Sequence, residues 1–194
     1  MRRTYVTFTT ILISILFFLP SYSEASNIRY RNEQYGFAIA FPEGWTFFEK
    51  NGSKFMAGAK NEFGDKITVT VDRLSPKHKG LYKEINKIPG YFEYTKNIIT
   101  KGLGGYMIDS GITDLSGNKA IWIKFAFANK SGGEKNYIIV YQIQTLKNDL
   151  IYTIMAKPAG RIRAKAFMRF AKLWPVLKKS VFSFSLSIPV QQIP

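Results

Sequence analysis

The sequence predicts an α+β domain: one antiparallel β-sheet with helical cover. Three observations predict it: two series of short alternating strands punctuated by Gly, Asn and Asp, a helix-spaced segment between them, and a long amphipathic segment near the C-terminus. Strand spacing of hairpin length makes neighbours antiparallel. Strands that are apolar on one face and half-apolar on the other need helices to bury the second face.

Residues 1–25 have the layout of a cleavable secretory signal: Arg2 and Arg3, an apolar run from Tyr5 to Leu19, then Pro20 and small residues. Ser23 and Ala25 fit cleavage after Ala25, and Ser21 with Ser23 offers an earlier site. The apolar run is shorter than the ~20 residues that span a bilayer and is closed by Pro20, which favours cleavage over a retained anchor. The expected organisation is therefore a signal over 1–25, a domain over 26–186 and a flexible tail over 187–194. Removing the signal leaves about 169 residues, enough for one core. No cysteine is present, so neither a disulfide nor lipid attachment at a cleavage-site cysteine is available. The expected location is periplasmic or secreted.

The first strand series opens with Asn27 to Arg31. Phe37, Ile39 and Phe41 then sit at period two, Pro42 fixes φ for a turn, and Gly44 supplies positive φ before Trp45. Thr46 to Glu49 continues as a strand to Asn51-Gly52, a strong hairpin dipeptide, from which Phe55 to Ala59 returns. Asn61 to Asp65 makes another polar turn, and Ile67, Val69 and Val71 alternate with polar residues in a half-buried strand.

After Arg73 the pattern changes. Leu81 to Lys87 has room for a helical turn or two before Pro89. From Gly90 to Lys101 the residues Tyr91, Phe92, Thr95, Ile98 and Ile99 follow helical spacing, with Gly102 placed as the C-terminal cap. Gly102, Gly104 and Gly105 do not form a dinucleotide fingerprint, because they follow a helix rather than open one and Met107 replaces the last glycine.

Four further strands follow, Met107–Leu115, Ala120–Asn129, Asn136–Thr145 and Leu150–Ala156, divided by turns at Ser116-Gly117-Asn118, Ser131-Gly132-Gly133 and Lys147-Asn148-Asp149. Ile121, Ile123, Phe125 and Phe127 make one apolar set, and Tyr137, Ile139, Tyr141 and Ile143 another. From Arg161, residues Ile162, Ala166, Phe170, Leu173 and Leu177 recur at steps of three and four, which predicts a helix with Phe167 and Trp174 widening its apolar arc. Pro175 is expected to kink or divide that helix near Leu173. Ser180 to Leu186 reads as a short strand or docked tail.

The chain is strongly basic, with 28 Lys plus Arg against 13 Asp plus Glu. For an exported protein this field favours phospholipid headgroups, envelope glycans or acidic proteins over nucleic acid, and it also fits a solvated surface with no dedicated partner. Arg161, Lys165, Arg169 and Lys172 recur at helical steps beside the apolar arc, and no acidic residue lies between Lys157 and Lys179. They form a candidate anion-binding stripe, which also fits the solvated outer face of a buried-side helix. Trp122 and Trp174 are assigned to the core. Catalytic chemistry finds little support. His78 is the single histidine, it lies between Lys77 and Lys79, and no Gly-x-Ser-x-Gly elbow is present. Asp65, Asp114 and Asp149 fall on turns, where Asp serves the backbone. No metal or cofactor is expected, and the chain is not expected to be an enzyme.

The combination of Tyr30-x-Asn32, Tyr35-Gly36-Phe37, Phe41-Pro42-Glu43-Gly44-Trp45, Thr68-Val69-Thr70-Val71, the turn Leu115 to Ala120 leading to Trp122, and a closing helix with Ser180-x-x-Ser183-Phe184 resembles the PsbP-like proteins. The resemblance spans nearly all of the chain after the signal. It implies the α/β/α sandwich shared by PsbP, the extrinsic photosystem II subunit, and the Ran-binding import factor of yeast, with helices on both faces of one antiparallel sheet. It further implies a non-enzymatic accessory or binding role, such as docking onto a membrane-associated complex. No photosynthetic role is carried over. The excess of Phe and Tyr supports a second reading, a carrier or sensor of a small apolar ligand held between sheet and helix. A hydrolase built on His78 is a weaker third.

Overall fold

A computed structural model describes residues 28–186 apart from 53, 132–133 and 161–162. The segments read as signal and tail lie outside the described residues. Among the described residues nine strands form two sheets: β1 (Ile28–Asn32) and β2 (Phe37–Phe41) pair with each other, while β3 (Thr46–Lys50), β4 (Phe55–Lys60), β5 (Lys66–Arg73), β6 (Tyr106–Leu115), β7 (Asn118–Ser131), β8 (Glu134–Lys147) and β9 (Leu150–Lys157) make one antiparallel sheet. Its spatial order is β3-β4-β5-β9-β8-β7-β6. Each strand series is a meander, and the two are joined along β5 and β9, from Lys66 opposite Lys157 to Arg73 opposite Leu150.

Strand alternation divides the apolar residues between two clusters. Ile139, Tyr141 and Ile143 of β8 belong to one, with Ile67, Val69 and Val71 of β5 and Tyr152 and Ile154 of β9. Ile138 and Val140 belong to the other, with Ile121, Ile123 and Phe125 of β7. The two apolar sets read from the sequence are thus opposite faces of the same sheet. The first cluster is closed by Ala166, Phe170, Leu177 and Val181 of helix α2 (Arg163–Phe182). The second takes Leu74, Ile85, Ile88 and Ile99 from the crossover between β5 and β6, which carries helix α1 (Tyr91–Asn97).

The opening motif differs from expectation. Phe37, Ile39 and Phe41 are buried as predicted, but the turn from Pro42 to Trp45, with Gly44 at φ +74°, carries the chain out of the small sheet into the large one. The small sheet is completed from the far end of the chain. Ala38 and Ser185 exchange backbone hydrogen bonds at 2.9 Å each, and the Ala40 N–H donates to Ser183 Oγ at 2.8 Å. The Phe37 ring packs against Phe55, Tyr152 and Phe184, and the Tyr152 hydroxyl donates to the Tyr35 carbonyl at 2.7 Å. Residues 183–186 are therefore a docked tail.

Two helix ends also differ. α1 passes into a π turn over Ile98–Gly102, and positive φ first occurs at Gly104, not at the expected cap Gly102. The Leu103 and Gly105 N–H groups donate to Ile98 and Ile99 carbonyls at 3.0 and 2.9 Å, closing the wider turn. α2 is not divided by Pro175, which lies inside one continuous helix. The carbonyl deprived of a partner by Pro175 is that of Ala171, and both residues are on the exposed side of the helix, where water can replace the lost bond.

Gly58 in β4 sits where a Cβ would lie 2.6 Å from the Ile67 carbonyl oxygen and 2.7 Å from the Phe48 ring. Gly58→Ala is expected to destabilise the protein by ~1–3 kcal/mol, read as a lower urea midpoint with an unchanged slope.

Candidate functional site

Of the four cations expected to form an anion-binding stripe, Arg161 lies outside the described residues, and Lys165 and Lys172 stand exposed on α2. Arg169 is engaged elsewhere. Its Nε and a terminal guanidinium nitrogen donate to the two carboxylate oxygens of Asp65 at 3.0 and 2.7 Å. Asp65 has 0% exposed surface, and it also accepts from the Ala159 N–H and Asn61 Nδ2, both at 2.7 Å. Phe63 places its ring 5.5 Å from the guanidinium carbon. Burial opposes ionisation of this carboxyl, but the hydrogen bonds from Arg169, Ala159 and Asn61 and the neighbouring positive charge outweigh it, so its pKa falls below the ordinary value. One carboxylate thus ties the β4–β5 turn, the connection after β9 and α2 together.

More cations gather at the strand ends beside this turn. Lys60 stands directly opposite Lys66, and Lys66 directly opposite Lys157. Like charges in such register cost stability, and burial together with Lys66 lowers the pKa of Lys157. Glu43 and Glu62 share a concavity with Lys60 and Lys66 and offset part of that charge.

The opposite flank of α2 borders an apolar groove of about 820 Å³ over β6, β7 and β8. Its wall is an aromatic series: Trp122 stacks on Tyr141 at 5.8 Å, Tyr141 meets Trp174 at 4.6 Å, and Trp174 stacks on Phe170 at 5.4 Å. Gly111 of β6 lies opposite Trp122, and a Cβ there would come within 2.9 Å of the indole nitrogen, so the glycine is what lets the indole lie across the strand. Lys124 Nζ sits 4.7 Å from the centre of the Phe170 ring, a cation–π distance, and Lys178 is the second cation of the lining. Burial pushes the Tyr141 phenol up to about 12, so it stays protonated at neutral pH.

Sequence reasoning placed Asp65 on a turn and Arg169 on a docking face, and nothing local reveals that residues 104 apart are paired. It assigned Trp122 and Trp174 to the core, whereas both are half-buried and line the groove. The strand alternation did carry a signal, because Trp122, Lys124 and Ala126 share a face with Ile139, Tyr141 and Ile143. His78 lies in a short turn, edge-on to Tyr82 at 5.6 Å. Among the described residues no three His, Asp or Glu side chains gather as a metal site.

No protein-family model matches the sequence, and no match to it is found among curated proteins. The fold is similar to that of cyanobacterial PsbP from Synechocystis, solved in solution, at 15% identity and a TM-score of 0.54, over 84% of this chain and 94% of that one. A crystal structure of a protein of unknown function from Pseudomonas aeruginosa shares 10% identity at a TM-score of 0.45, over 79% of this chain and 94% of that one. One from Bacteroides thetaiotaomicron shares 9% at 0.49, over 87% of this chain and 52% of that one. The chain has a PsbP-like fold, as the motifs from Tyr30 to Phe184 implied.

Arg169→Met would leave the Asp65 carboxylate buried without its cation, and the expected loss of stability near neutral pH is about 3–5 kcal/mol. In the unaltered protein the contribution of Asp65 is complete above the unfolded carboxyl pKa, about 3.9, and is lost as pH falls through the lower folded value. In the variant, burial raises that pKa instead. The gap between the two proteins, measured by urea unfolding across a pH series, should narrow as pH falls toward 3.

Proposed function

We propose that this chain is an exported, non-enzymatic accessory protein that docks onto a membrane-associated complex or an anionic envelope surface through the exposed side of α2. The observation that carries this reading is the composition of that side. Within Arg163–Phe182 there is no acidic residue, and exposed Lys165, Lys172 and Lys179 are interleaved with exposed Val176, which stands 44% open. Val176, open among these cations, gives the face an apolar contact beside its charge. A face that settles against an anionic surface uses both, the cations for attraction and the apolar groups for contact.

Three further observations support it. The lysines opposed across β4, β5 and β9 extend the basic field to the strand ends beside the Asp65 turn. The likeness to PsbP supports an accessory role by analogy of fold alone. Among the described residues no helix is long and apolar enough to cross a membrane, which fits surface attachment by the domain over 26–186 once a signal over 1–25 is removed. We also read the layering as helices on both faces of the large sheet, supported by α2 packing in one apolar cluster while Ile99, with half-buried Tyr91 and Phe92, packs in the other.

Within the proposed stripe, Arg161, Lys165 and Lys172 are the cations to alter, because Arg169 also holds Asp65. Reversal of Lys165 and Lys172 to Glu should weaken binding to vesicles containing anionic phospholipid by at least about thirty-fold at low salt, from ~1 kcal/mol for each cation lost near the surface with the repulsion of the two carboxylates added. The unfolding midpoint should change little. Binding that neither falls in the double variant nor weakens with added salt would remove this face from the account.

A further inference from the structure

We infer that the groove between α2 and strands β6–β8 is a binding site for a monomeric, single-chain anionic amphiphile, an apolar chain ending in one carboxylate. This goes beyond surface docking, since it concerns the other flank of α2 and a small soluble ligand. At about 820 Å³ the groove is in the size range of small-molecule sites, and its wall is largely aromatic and aliphatic. The open groove exposes Phe167, Met168 and Phe182 to water, a cost that a bound apolar chain would remove.

The charge of the lining selects the head group. Its only ionic side chains, at neutral pH, are Lys124 and Lys178, and no Asp or Glu lines it. Among the described residues neither lysine is in an ion pair. Lys124 instead holds its ammonium over the Phe170 ring, where an incoming carboxylate can replace or join the ring as partner. Tyr141 adds a protonated hydroxyl to the same lining, and no hydrogen bond occupies it among the described residues. A cationic amphiphile would meet two like charges, and a neutral one would leave both lysines unpaired.

Dodecanoate, kept below its micellar concentration, is the probe, and dodecanol is its neutral counterpart. Trp122 and Trp174 line the groove, so intrinsic fluorescence reports occupancy directly. Dodecanoate should bind saturably at one site and about ten-fold more tightly than dodecanol, the difference expected of a charge-assisted contact. Lys124→Gln combined with Lys178→Gln should abolish that preference while leaving dodecanol binding in place. Ala171→Trp places bulk on an exposed helix position of the lining, so it should remove binding of both without lowering the unfolding midpoint. Absence of saturable binding, equal affinity for the acid and the alcohol, or undiminished binding in folded Ala171→Trp would each overturn the inference. Vesicle binding of Ala171→Trp, measured in parallel, should stay as it is, which separates failure of this site from failure of the docking reading.

Discussion

A carboxylate without any contact with water orders much of this molecule. Asp65 ends the turn between β4 and β5, and its oxygens receive Arg169 from α2, the Ala159 N–H from the connection after β9, and Asn61 from its own turn. A buried charge is tolerable only when its hydrogen-bond capacity is filled, so these three segments have one mutual arrangement that satisfies it. That arrangement fixes how α2 crosses the large sheet. The helix is held at Arg169 on one flank, and on the other Trp174, stacked on Phe170, meets Tyr141 of β8. The position of the groove and the outward direction of Lys165 and Lys172 both follow from where that flank is held.

How much of this was legible follows from the range of each interaction. Alternation and turn chemistry are local, so the seven strands of the large sheet and their hairpins were readable, down to the paired positive-φ residues Ser116-Gly117 and Asn148-Asp149. Motif likeness extended this to a PsbP-like fold, which structural similarity bears out at an identity too low for whole-chain sequence comparison to find. Sheet membership was not readable. Pro42 to Trp45 looks like a hairpin turn, and only the destination of β3, which lies beside β4, shows that it links two sheets. Of the two outcomes expected at Pro175, a kink or a division, the division does not occur, for a related reason. Proline removes a donor, but whether a helix breaks depends on whether the orphaned carbonyl is wet, and that is a property of packing.

The proposed sites depend on pairings that no local pattern encodes. A basic residue at helical spacing reads the same whether it faces solvent or a carboxylate on a distant turn, so Arg169 was grouped with Lys165 and Lys172. An aromatic residue on a strand reads the same in a sealed interior and in the wall of a groove, so Trp122 was placed in the core. The structure separates the two flanks of α2 by chemistry. Cations with Arg169 lie on the Asp65 side, and aromatic rings with Lys124 and Lys178 on the other.

The small sheet has a consequence for how the polypeptide matures. β1 and β2 come early in the chain, yet their outer partner is Ser185 and the hydroxyl that caps Ala40 belongs to Ser183. A nascent chain therefore holds the β1–β2 hairpin without its outer partner until residues 183–186 have been made. Cooperative closure waits for the last segment, since the loop entropy of joining such distant partners must be met before their contacts repay it. The β1–β2 pair thus gains its outer partner only when residues 183–186 dock against Ala38 and Ala40.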